Sequence, residues 1–370
     1  MCRQFESDRG SHFALTKRMR KGIIKISGEK MIYKNAELYG VTELEKRADK
    51  EGFVCLRMPA FVRDTLETGM SELLSRASKT TEIRFVMLGD QVKIKLAKFE
   101  KGDRSLHSVF VFYGGIQGAW YDHCVNRHLQ GDVDEIIVEK PKNMDTLKRM
   151  AKASNDPFSP EVVRVIFNGG YYTLLDIDGD IRPPKKSETP MKTLMTYGSS
   201  ITQGSNSMDS AHSWASWVAH ELDMDLLNHA MAGSCAMEPA FVDFIAQEGE
   251  QGKWDIGVLE LGINVLYWED SKILERVKNT IVQIAGRNKD KPIYVISPFY
   301  CDDDFNGKTQ ADKWRQYIKA IVAELHYENV TYINGLDLLG NVKYLSADEV
   351  HPNVYGCQKI ANGLLEIIKK

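Results

Sequence analysis

Short apolar runs alternate with longer amphipathic segments through the second half of the chain. The runs are as long as buried strands, whereas the segments between them repeat their apolar residues at helical spacing. This alternation predicts parallel strands joined by helical crossovers, and so an α/β domain with one doubly wound parallel sheet of five strands. The predicted strands are residues 194–197, 226–230, 256–261, 293–297 and 330–333.

The first half of the chain has a different rhythm, with short runs rich in β-branched and aromatic residues. Residues 82–88 and 91–96 alternate polar and apolar side chains on either side of Gly89-Asp90, which predicts a hairpin. Many short strands of this type predict a β-sandwich resembling a jelly roll. Helical patterns occur around residues 65–75 and 144–152.

A segment with three prolines, residues 183–190, separates the two patterns. It has no apolar periodicity, and residues that precede proline favour extended backbone. A chain of 370 residues is also long for a single hydrophobic core. We therefore predict an N-terminal β-sandwich domain over residues 1–182, a linker over 183–190 and an α/β domain over 191–370.

The composition is that of a globular protein, with 43% hydrophobic and 27% charged residues and a net charge of −3. No basic run is long enough to follow a nucleic-acid backbone, so no nucleic-acid partner is expected. No apolar run approaches the roughly 20 residues of a membrane helix, and no apolar stretch follows the first charged residues. These observations predict a cytoplasmic protein without a membrane partner, and they leave its oligomeric state open.

The six cysteines are scattered and form no Cys-x-x-Cys pair, which predicts reduced and mostly buried thiols. His123, Cys124 and His128 lie close together in the sequence. They lack a second pair of ligands at a recognisable spacing, and we therefore expect neither a metal site nor a cofactor.

Polar residues that can act in acyl transfer follow the predicted parallel strands. The first strand leads to Gly198-Ser199-Ser200, the second to Gly233 and the third to Asn264, while Asp348 and His351 precede the last helix. Because the carboxyl ends of parallel strands share one edge of a sheet, these residues are expected to meet there. A hydroxyl, an imidazole beside a carboxylate, and amide donors for an oxyanion are the groups that covalent ester hydrolysis requires.

The four segments resemble the four sequence blocks of the GDSL/SGNH hydrolases and occur in that family's order. The resemblance implies the flavodoxin-like SGNH hydrolase fold, with Ser200 as nucleophile, His351 as base and Asp348 as the residue that orients the base. It also implies an oxyanion hole formed by the backbone N–H groups of Ser200 and Gly233 and by the side chain of Asn264.

The chain departs from the family pattern at two positions. Ser199 stands where the family usually has an aspartate before the nucleophile, and Val265 stands where it usually has an aspartate after the asparagine. Neither position belongs to the triad, so the chemistry is expected to be retained. Just beyond, Tyr267 and Trp268 are candidates for the floor of the acyl or sugar pocket, although aromatic residues as often fill a core.

A β-sandwich ahead of such a catalytic domain resembles the two-domain carbohydrate esterases that remove acetyl groups from plant polysaccharides. This resemblance predicts a serine esterase for short, chiefly acetyl, esters of a small-molecule or oligosaccharide substrate. Trp120 and Tyr121 could stack on a sugar, although aromatic side chains in loops more often pack against the sandwich. Two alternatives remain: a lipase- or thioesterase-like acylhydrolase for longer chains, and a carbohydrate-binding protein with a vestigial esterase site.

Overall fold

The computed structural model describes residues 23–24, 30–47, 51–67, 75–98, 108–119, 127–128 and 131–370. Several features predicted from the sequence lie wholly or mostly outside these ranges: the helix around residues 65–75, the pair Trp120 and Tyr121, and the pair His123 and Cys124. A short helix, α1 (Ala60–Arg63), precedes the first of them.

The described strands of the N-terminal half form two antiparallel sheets, one of six strands and one of eight. The strands are β1 (Ile23–Ile24), β2 (Ile32–Tyr33), β3 (Ala36–Tyr39), β4 (Glu43–Lys46), β5 (Phe53–Leu56), β6 (Glu82–Met87), β7 (Gln91–Lys98), β8 (Ser108–Tyr113), β9 (Ile116–Gln117), β10 (Arg127–His128), β11 (Val133–Glu139), β12 (Val162–Phe167), β13 (Tyr172–Asp178) and β14 (Ile181–Arg182). The six-stranded sheet has the order β1-β4-β5-β13-β7-β11. The eight-stranded sheet has the order β10-β8-β12-β6-β3-β2, with β9 beside β8 and β14 beside β6.

The inward-facing side chains of both sheets form one hydrophobic core. Along β7, Val92, Ile94 and Leu96 are buried, and polar residues alternate with them. They pack in one cluster with residues of the other sheet, among them Phe85 and Val111. Burial of each such side chain contributes about 1.5–3 kcal/mol relative to exposure, so this core is what holds the two sheets face to face. The predicted β-sandwich is confirmed.

The hairpin predicted across Gly89-Asp90 is wrong. β6 pairs with β3, β12 and β14, and β7 pairs with β11 and β13, so this turn carries the chain from one sheet to the other. All residues of β6 are buried, because its outer face meets the C-terminal domain through Arg84 and Asp225. Alternation in the sequence indicates one inward face for each strand but does not specify which strand lies beside it.

Five parallel strands form the C-terminal sheet. The second of them along the chain lies at one edge, and the first, third, fourth and fifth follow in that order. This is the flavodoxin-like order, and it confirms the predicted doubly wound fold. The registers Thr196↔Asn228 and Tyr197↔Leu259 bring the carboxyl ends of the first three strands side by side. The strands are β15 (Thr193–Tyr197), β16 (Asp225–Asn228), β17 (Ile256–Glu260), β18 (Ile293–Ile296) and β19 (Val330–Ile333).

Helices cover both faces of this sheet. Buried residues of the helices Pro239–Glu250, Asp270–Arg287 and Gln310–Leu325 form a core on one face, and those of the helices Trp214–Glu221 and Val354–Ile368 form a core on the other. No helix within the described ranges is long and apolar enough to cross a lipid bilayer. The helices after α1 are α2 (Met144–Ser154), α3 (Ser200–Gln203), α4 (Trp214–Glu221), α5 (Pro239–Glu250), α6 (Asp270–Arg287), α7 (Asp302–Phe305), α8 (Gln310–Leu325), α9 (Gly335–Leu338) and α10 (Val354–Ile368).

The β-sandwich meets the C-terminal domain along β16, the edge strand of the parallel sheet. At the start of β16, Asp225 accepts two hydrogen bonds from Arg84 of β6, at 2.6 and 2.7 Å. At its end, the carbonyl of Asn228 accepts a hydrogen bond from Arg57, which follows β5. These polar contacts are buried and continuous with the strand that leads to one of the predicted site loops, and beside them Met58 and Val62 pack in the C-terminal hydrophobic core.

The limits of the two domains and the linker over residues 183–190 remain predictions. The segment contains a 3₁₀ turn, Lys186–Glu188. Arg182 pairs with Glu188 at 2.6 Å, and the N–H of Ser159 donates to the carbonyl of Glu188 at 3.0 Å. These contacts fasten this part of the segment to the sandwich.

Four cysteines lie within the described ranges, and all are free thiols: Cys55, Cys235, Cys301 and Cys357. Burial raises the pKa of each thiol. Thiolates, the reactive form of cysteine, are therefore scarce at neutral pH, and these side chains act as small apolar groups.

Candidate active site

The turn after β15 carries Ser199 and Ser200. Ser199 is the N-cap residue of α3, and its Oγ accepts a hydrogen bond from the N–H of Ile201 at 3.1 Å. Ser200 is the first residue of the helix, where a backbone N–H has no partner inside the helix. A Cβ on Gly198 would lie only 2.7 Å from Oε2 of Glu260, so this position requires glycine.

Ser200, His351 and Asp348 form a continuous hydrogen-bonded chain. Nε2 of His351 lies 2.7 Å from Oγ of Ser200, and Nδ1 lies 2.9 Å from Oδ2 of Asp348. The structure thus brings together the three residues that the family resemblance implied. The arrangement allows Nδ1–H to donate to Asp348 while Nε2 accepts the serine hydroxyl proton, which is the geometry of a nucleophile with its general base.

The carboxylate of Asp348 is held by its own loop and by Asn206, which follows α3. Its Oδ1 accepts hydrogen bonds from the N–H groups of Val350, at 3.1 Å, and His351, at 2.9 Å, and its Oδ2 accepts one from Asn206 at 2.8 Å. Burial alone would raise the pKa of Asp348, but the two backbone donors and the His351 ring outweigh it and lower that pKa below its usual value. Asp348 is therefore ionised at neutral pH and can orient the imidazole.

Three donors in the loops at the carboxyl ends of β15, β16 and β17 have no acceptor among the described residues: the backbone N–H groups of Ser200 and Gly233, and the Nδ2 of Asn264. Oδ1 of Asn264 accepts a hydrogen bond from the N–H of Cys235 at 3.0 Å, which leaves the amide nitrogen as the free end. Gly233 has a φ of +67° and is exposed. Free donors of this kind are what an oxyanion hole requires, and their assignment to that role remains a prediction.

Side chains of α3 and β16 tie these donors together. Nδ2 of Asn228 donates to the carbonyl of Thr202 at 3.0 Å, and its Oδ1 accepts from the N–H of Ala230 at 2.9 Å. Oε1 of Gln203 accepts from the N–H of Ala232 at 3.2 Å. The helix that carries Ser200 and the loop that carries Gly233 are therefore cross-linked by hydrogen bonds.

Glu260, at the end of β17, is a residue of the site that the sequence analysis missed. Its Oε2 accepts hydrogen bonds from the N–H and the Oγ of Ser199, both at 2.7 Å, and from Thr202 at 3.0 Å. Burial raises the pKa of Glu260 to about 7, although the hydrogen bonds from Ser199 and Thr202 oppose the shift. A carboxylate inside an otherwise apolar strand was the available signal. Glu260 accepts hydrogen bonds from Ser199, the residue that stands where the family usually has an aspartate.

The candidate pocket residues Tyr267 and Trp268 lie just beyond Asn264. Tyr267 is 66% exposed and donates its hydroxyl to Asp303, and burial together with that carboxylate raises the pKa of Tyr267 to about 12. Trp268 packs against the core, and Nζ of Lys272 lies 4.2 Å from its ring centroid. Within the described ranges neither side chain hydrogen-bonds to Ser200, His351 or Asn264, so their pocket role remains a prediction. Val265 is buried in the hydrophobic core.

The fold and the free donors beside a serine–histidine pair define the class of protein. A doubly wound parallel sheet with such groups at the carboxyl ends of its strands is the architecture of a carboxylic ester hydrolase. Residues 191–369 match the model of the GDSL-like Lipase/Acylhydrolase family, so the C-terminal part of the chain is similar to that family. No curated protein sequence matches the chain.

Solved structures share the arrangement of both halves. A salicylyl-acyltransferase, SsfX3, from a tetracycline biosynthetic pathway has a TM-score of 0.68 at 14% identity over 92% of this chain and 96% of its own. A Bacteroides ovatus protein described as a GDSL-like lipase has a TM-score of 0.63 at 14% identity over 94% of this chain and 97% of its own. A family two carbohydrate esterase from Cellvibrio japonicus has a TM-score of 0.59 at 11% identity over 90% and 94%. At these identities the likeness shows a shared two-domain fold.

Proposed function

We propose that this chain is a serine esterase that removes acetyl groups from carbohydrate through an acyl-enzyme on Ser200. The observation that carries the proposal is the 2.7 Å contact between Nε2 of His351 and Oγ of Ser200. Three donors without a partner in the described part of the chain, at the carboxyl ends of neighbouring strands, add to it. The likeness to a family two carbohydrate esterase over both domains supports a carbohydrate ester as substrate.

Acylation begins when Oγ of Ser200 attacks the ester carbonyl carbon. Nε2 of His351 takes the hydroxyl proton as the Oγ–C bond forms, and the carbonyl oxygen becomes an oxyanion that the N–H groups of Ser200, Gly233 and Asn264 stabilise. The tetrahedral intermediate then collapses. His351 returns the proton to the leaving alkoxide, and the sugar departs as an alcohol, leaving the acetyl ester of Ser200.

Deacylation repeats these steps with water. His351 removes a proton from the water molecule as its oxygen attacks the acyl carbon, and the same donors stabilise the second oxyanion. Collapse breaks the bond to Oγ of Ser200, which recovers the proton from His351, and acetic acid leaves and ionises to acetate in water. Asp348, which stays ionised, keeps Nδ1 of His351 protonated through the cycle and stabilises the transient imidazolium.

The alternatives differ in observable ways. An acylhydrolase for longer chains needs a pocket that admits them, whereas a small acyl pocket rejects them. A vestigial site does not need a nucleophile and base within hydrogen-bond distance, and the Ser200–His351 contact supports a working enzyme instead. The likeness to an acyltransferase adds the possibility that an alcohol replaces water in the second step.

The test is acetate release from a panel of acetylated xylo-, manno- and cello-oligosaccharides, with acetyl and octanoyl aryl esters assayed beside it. We expect acetate from at least one oligosaccharide and faster turnover of the acetyl than of the octanoyl ester, with Ser200→Ala as the inactive control. Faster turnover of the octanoyl ester would favour the lipase-like alternative. Glycan binding without any ester turnover would favour the vestigial site.

A further inference from the structure

The segment that leads from β16 to Gly233 is held by hydrogen bonds from the other half of the chain. Nη2 of Arg57, which belongs to the β-sandwich half, donates to the carbonyls of Asn228, at 2.8 Å, and Ala230, at 2.9 Å. Thr80, also from the first half, donates to the same carbonyl of Asn228 at 3.4 Å. Residues of the β-sandwich half therefore fix the backbone between the end of β16 and Gly233.

The environment of Arg57 is unusual for a cation. The residue is 2% exposed, and burial lowers the pKa of Arg57 to about 10. No carboxylate pairs with it among the described residues, and its Nη1 is buried without a hydrogen-bond partner there. Burying a guanidinium without a counter-charge opposes folding. The hydrogen bonds to the carbonyls of Asn228 and Ala230 offset part of this cost. They indicate that the role of Arg57 is to hold this loop.

A short path of hydrogen bonds links Arg57 to the free donors. The Asn228 side chain joins the carbonyl of Thr202 to the N–H of Ala230, and the N–H of Met231 donates to the carbonyl of Gly198 at 2.9 Å. Movement of the carbonyls that Arg57 holds would therefore move the N–H of Gly233 relative to that of Ser200.

We propose that Arg57 is a positioning residue for the oxyanion hole, so that the β-sandwich is a working part of the catalytic unit. The proposal rests on the oxyanion role proposed above for Gly233. An oxyanion hole acts on charge that develops only in the transition state, and its effect depends on donors held at hydrogen-bond distance. Loosening the loop should therefore lower kcat and leave KM unchanged, because substrate binding in the ground state does not use these donors.

Arg84 provides a matched comparison. Like Arg57 it is a buried arginine of the sandwich that holds β16, but it holds Asp225 at the start of the strand, away from Gly233. If contact between the domains were all that mattered, the same substitution at either arginine would have the same effect on turnover. If position on β16 matters, only the substitution at Arg57 changes turnover.

The experiment compares Arg57→Lys with Arg84→Lys in the full chain. Active sites are counted by titration with an aryl phosphonate, so that kcat refers to folded, reactive enzyme. For Arg57→Lys we expect a fall in kcat of about 10-fold or more at unchanged KM, and a parallel loss of affinity for a boronate that mimics the tetrahedral intermediate. For Arg84→Lys we expect kcat within about 2-fold of the unmodified enzyme, with a lower Tm. Equal losses of kcat in both variants, or no loss at Arg57, would overturn the proposal.

Arg57→Gln and Arg84→Gln form a second pair, because the neutral amide can still donate to a carbonyl and leaves no cation unpaired. If both substitutions at Arg57 abolish titratable sites while both at Arg84 retain them, Arg57 supports the whole fold and the positioning proposal is wrong. Asn264→Ala distinguishes failure of the proposed oxyanion hole from failure of the proposed role of Arg57. Should that variant keep full kcat, the proposed oxyanion hole itself fails, whereas a loss in Asn264→Ala without one in Arg57→Lys refutes this inference alone.

Discussion

Ser200 and His351 lie within hydrogen-bond distance of each other, but the contacts that hold them come from very different distances along the chain. On the histidine side the backbone contacts are local: the N–H groups of Val350 and His351 donate to Asp348, and the N–H of Ser346 donates to the carbonyl of His351 at 2.8 Å. Asn206 adds one hydrogen bond to Asp348 from far away in the sequence. On the serine side, the turn is held by Glu260 of another strand. The loop that carries Gly233 is held by Arg57 of the other half of the chain.

Substitutions on the two sides should therefore differ in their effects on rate and on stability. The Asp348 side chain is 39% exposed, whereas Glu260 and Arg57 are almost fully buried. Changes on the histidine side should therefore lower the rate with little effect on stability. Changes on the serine side, where buried polar groups would lose partners, should affect both.

The largest expected effect is that of Ser200→Ala, which removes the proposed nucleophile. Turnover should fall by about 10⁴-fold or more, because the hydroxyl and its base act as a unit. Ser199→Ala is the matched control: it removes an N-cap and a hydrogen bond to Glu260, so Tm should fall by the equivalent of about 1 kcal/mol while substantial turnover remains. Steady-state kinetics and thermal unfolding of both variants provide the check. A reversal of the two activities would place the nucleophile one residue earlier.

Asp348→Asn should come next, with a fall in kcat of about 10²–10⁴-fold. The new amide nitrogen would face Nδ1 of His351 as a donor, which favours the tautomer whose Nε2 carries a proton and cannot accept one from Ser200. Because the loop keeps its backbone contacts, Tm at pH 7 should change little. A loss of only a few-fold in kcat would mean that another group, such as a backbone carbonyl, orients His351.

Asn264→Ala should lower kcat by about 10²–10³-fold with KM nearly unchanged. The amide is expected to act on transition-state charge, so the ground-state complex loses little. The variant also removes the acceptor of the Cys235 N–H, and a small decrease in Tm should accompany the kinetic effect. An increase in KM at constant kcat would instead make Asn264 a substrate-binding residue.

Glu260→Gln should have the smallest effect on rate and a distinct effect on stability. The folded-state pKa of Glu260 is raised to about 7, so its favourable contribution is complete below the pKa of an unfolded-state glutamate and is lost as pH rises through about 7. The unmodified chain should lose on the order of 3 kcal/mol of stability from this group between about pH 4.5 and 8. Glutamine, which does not ionise, should remove that part of the decline. The measurement is the free energy of unfolding by denaturant, at several pH values in this range, for the unmodified chain and for Glu260→Gln. If the two pH profiles stayed parallel, the assignment would be contradicted.

The contrast between the two sides also explains what the sequence could predict. The parallel sheet and its strand ends followed from periodicity. Asp348 and His351 followed from a local motif, and the backbone contacts of that motif are equally local, although Asn206 reaches Asp348 from far away in the sequence. The hairpin across Gly89-Asp90 was wrong because the alternation of β6 and β7 does not encode which strand lies beside them. Arg57 and Glu260 were missed because their partners lie far away in the chain, and only the tertiary fold brings them to the turn and to the Gly233 loop.

The most direct test of the account is to find which atom takes the acyl or phosphonyl group. The full chain is treated with an aryl fluorophosphonate, digested and mapped by mass spectrometry, with Asp348→Asn and Ser200→Ala treated in parallel. We expect one label per chain on Ser200, formed much more slowly in Asp348→Asn and absent in Ser200→Ala. A label on Ser199, or labelling of Ser200→Ala at the unmodified rate, would contradict the claim that Ser200 activated by His351 is the nucleophile.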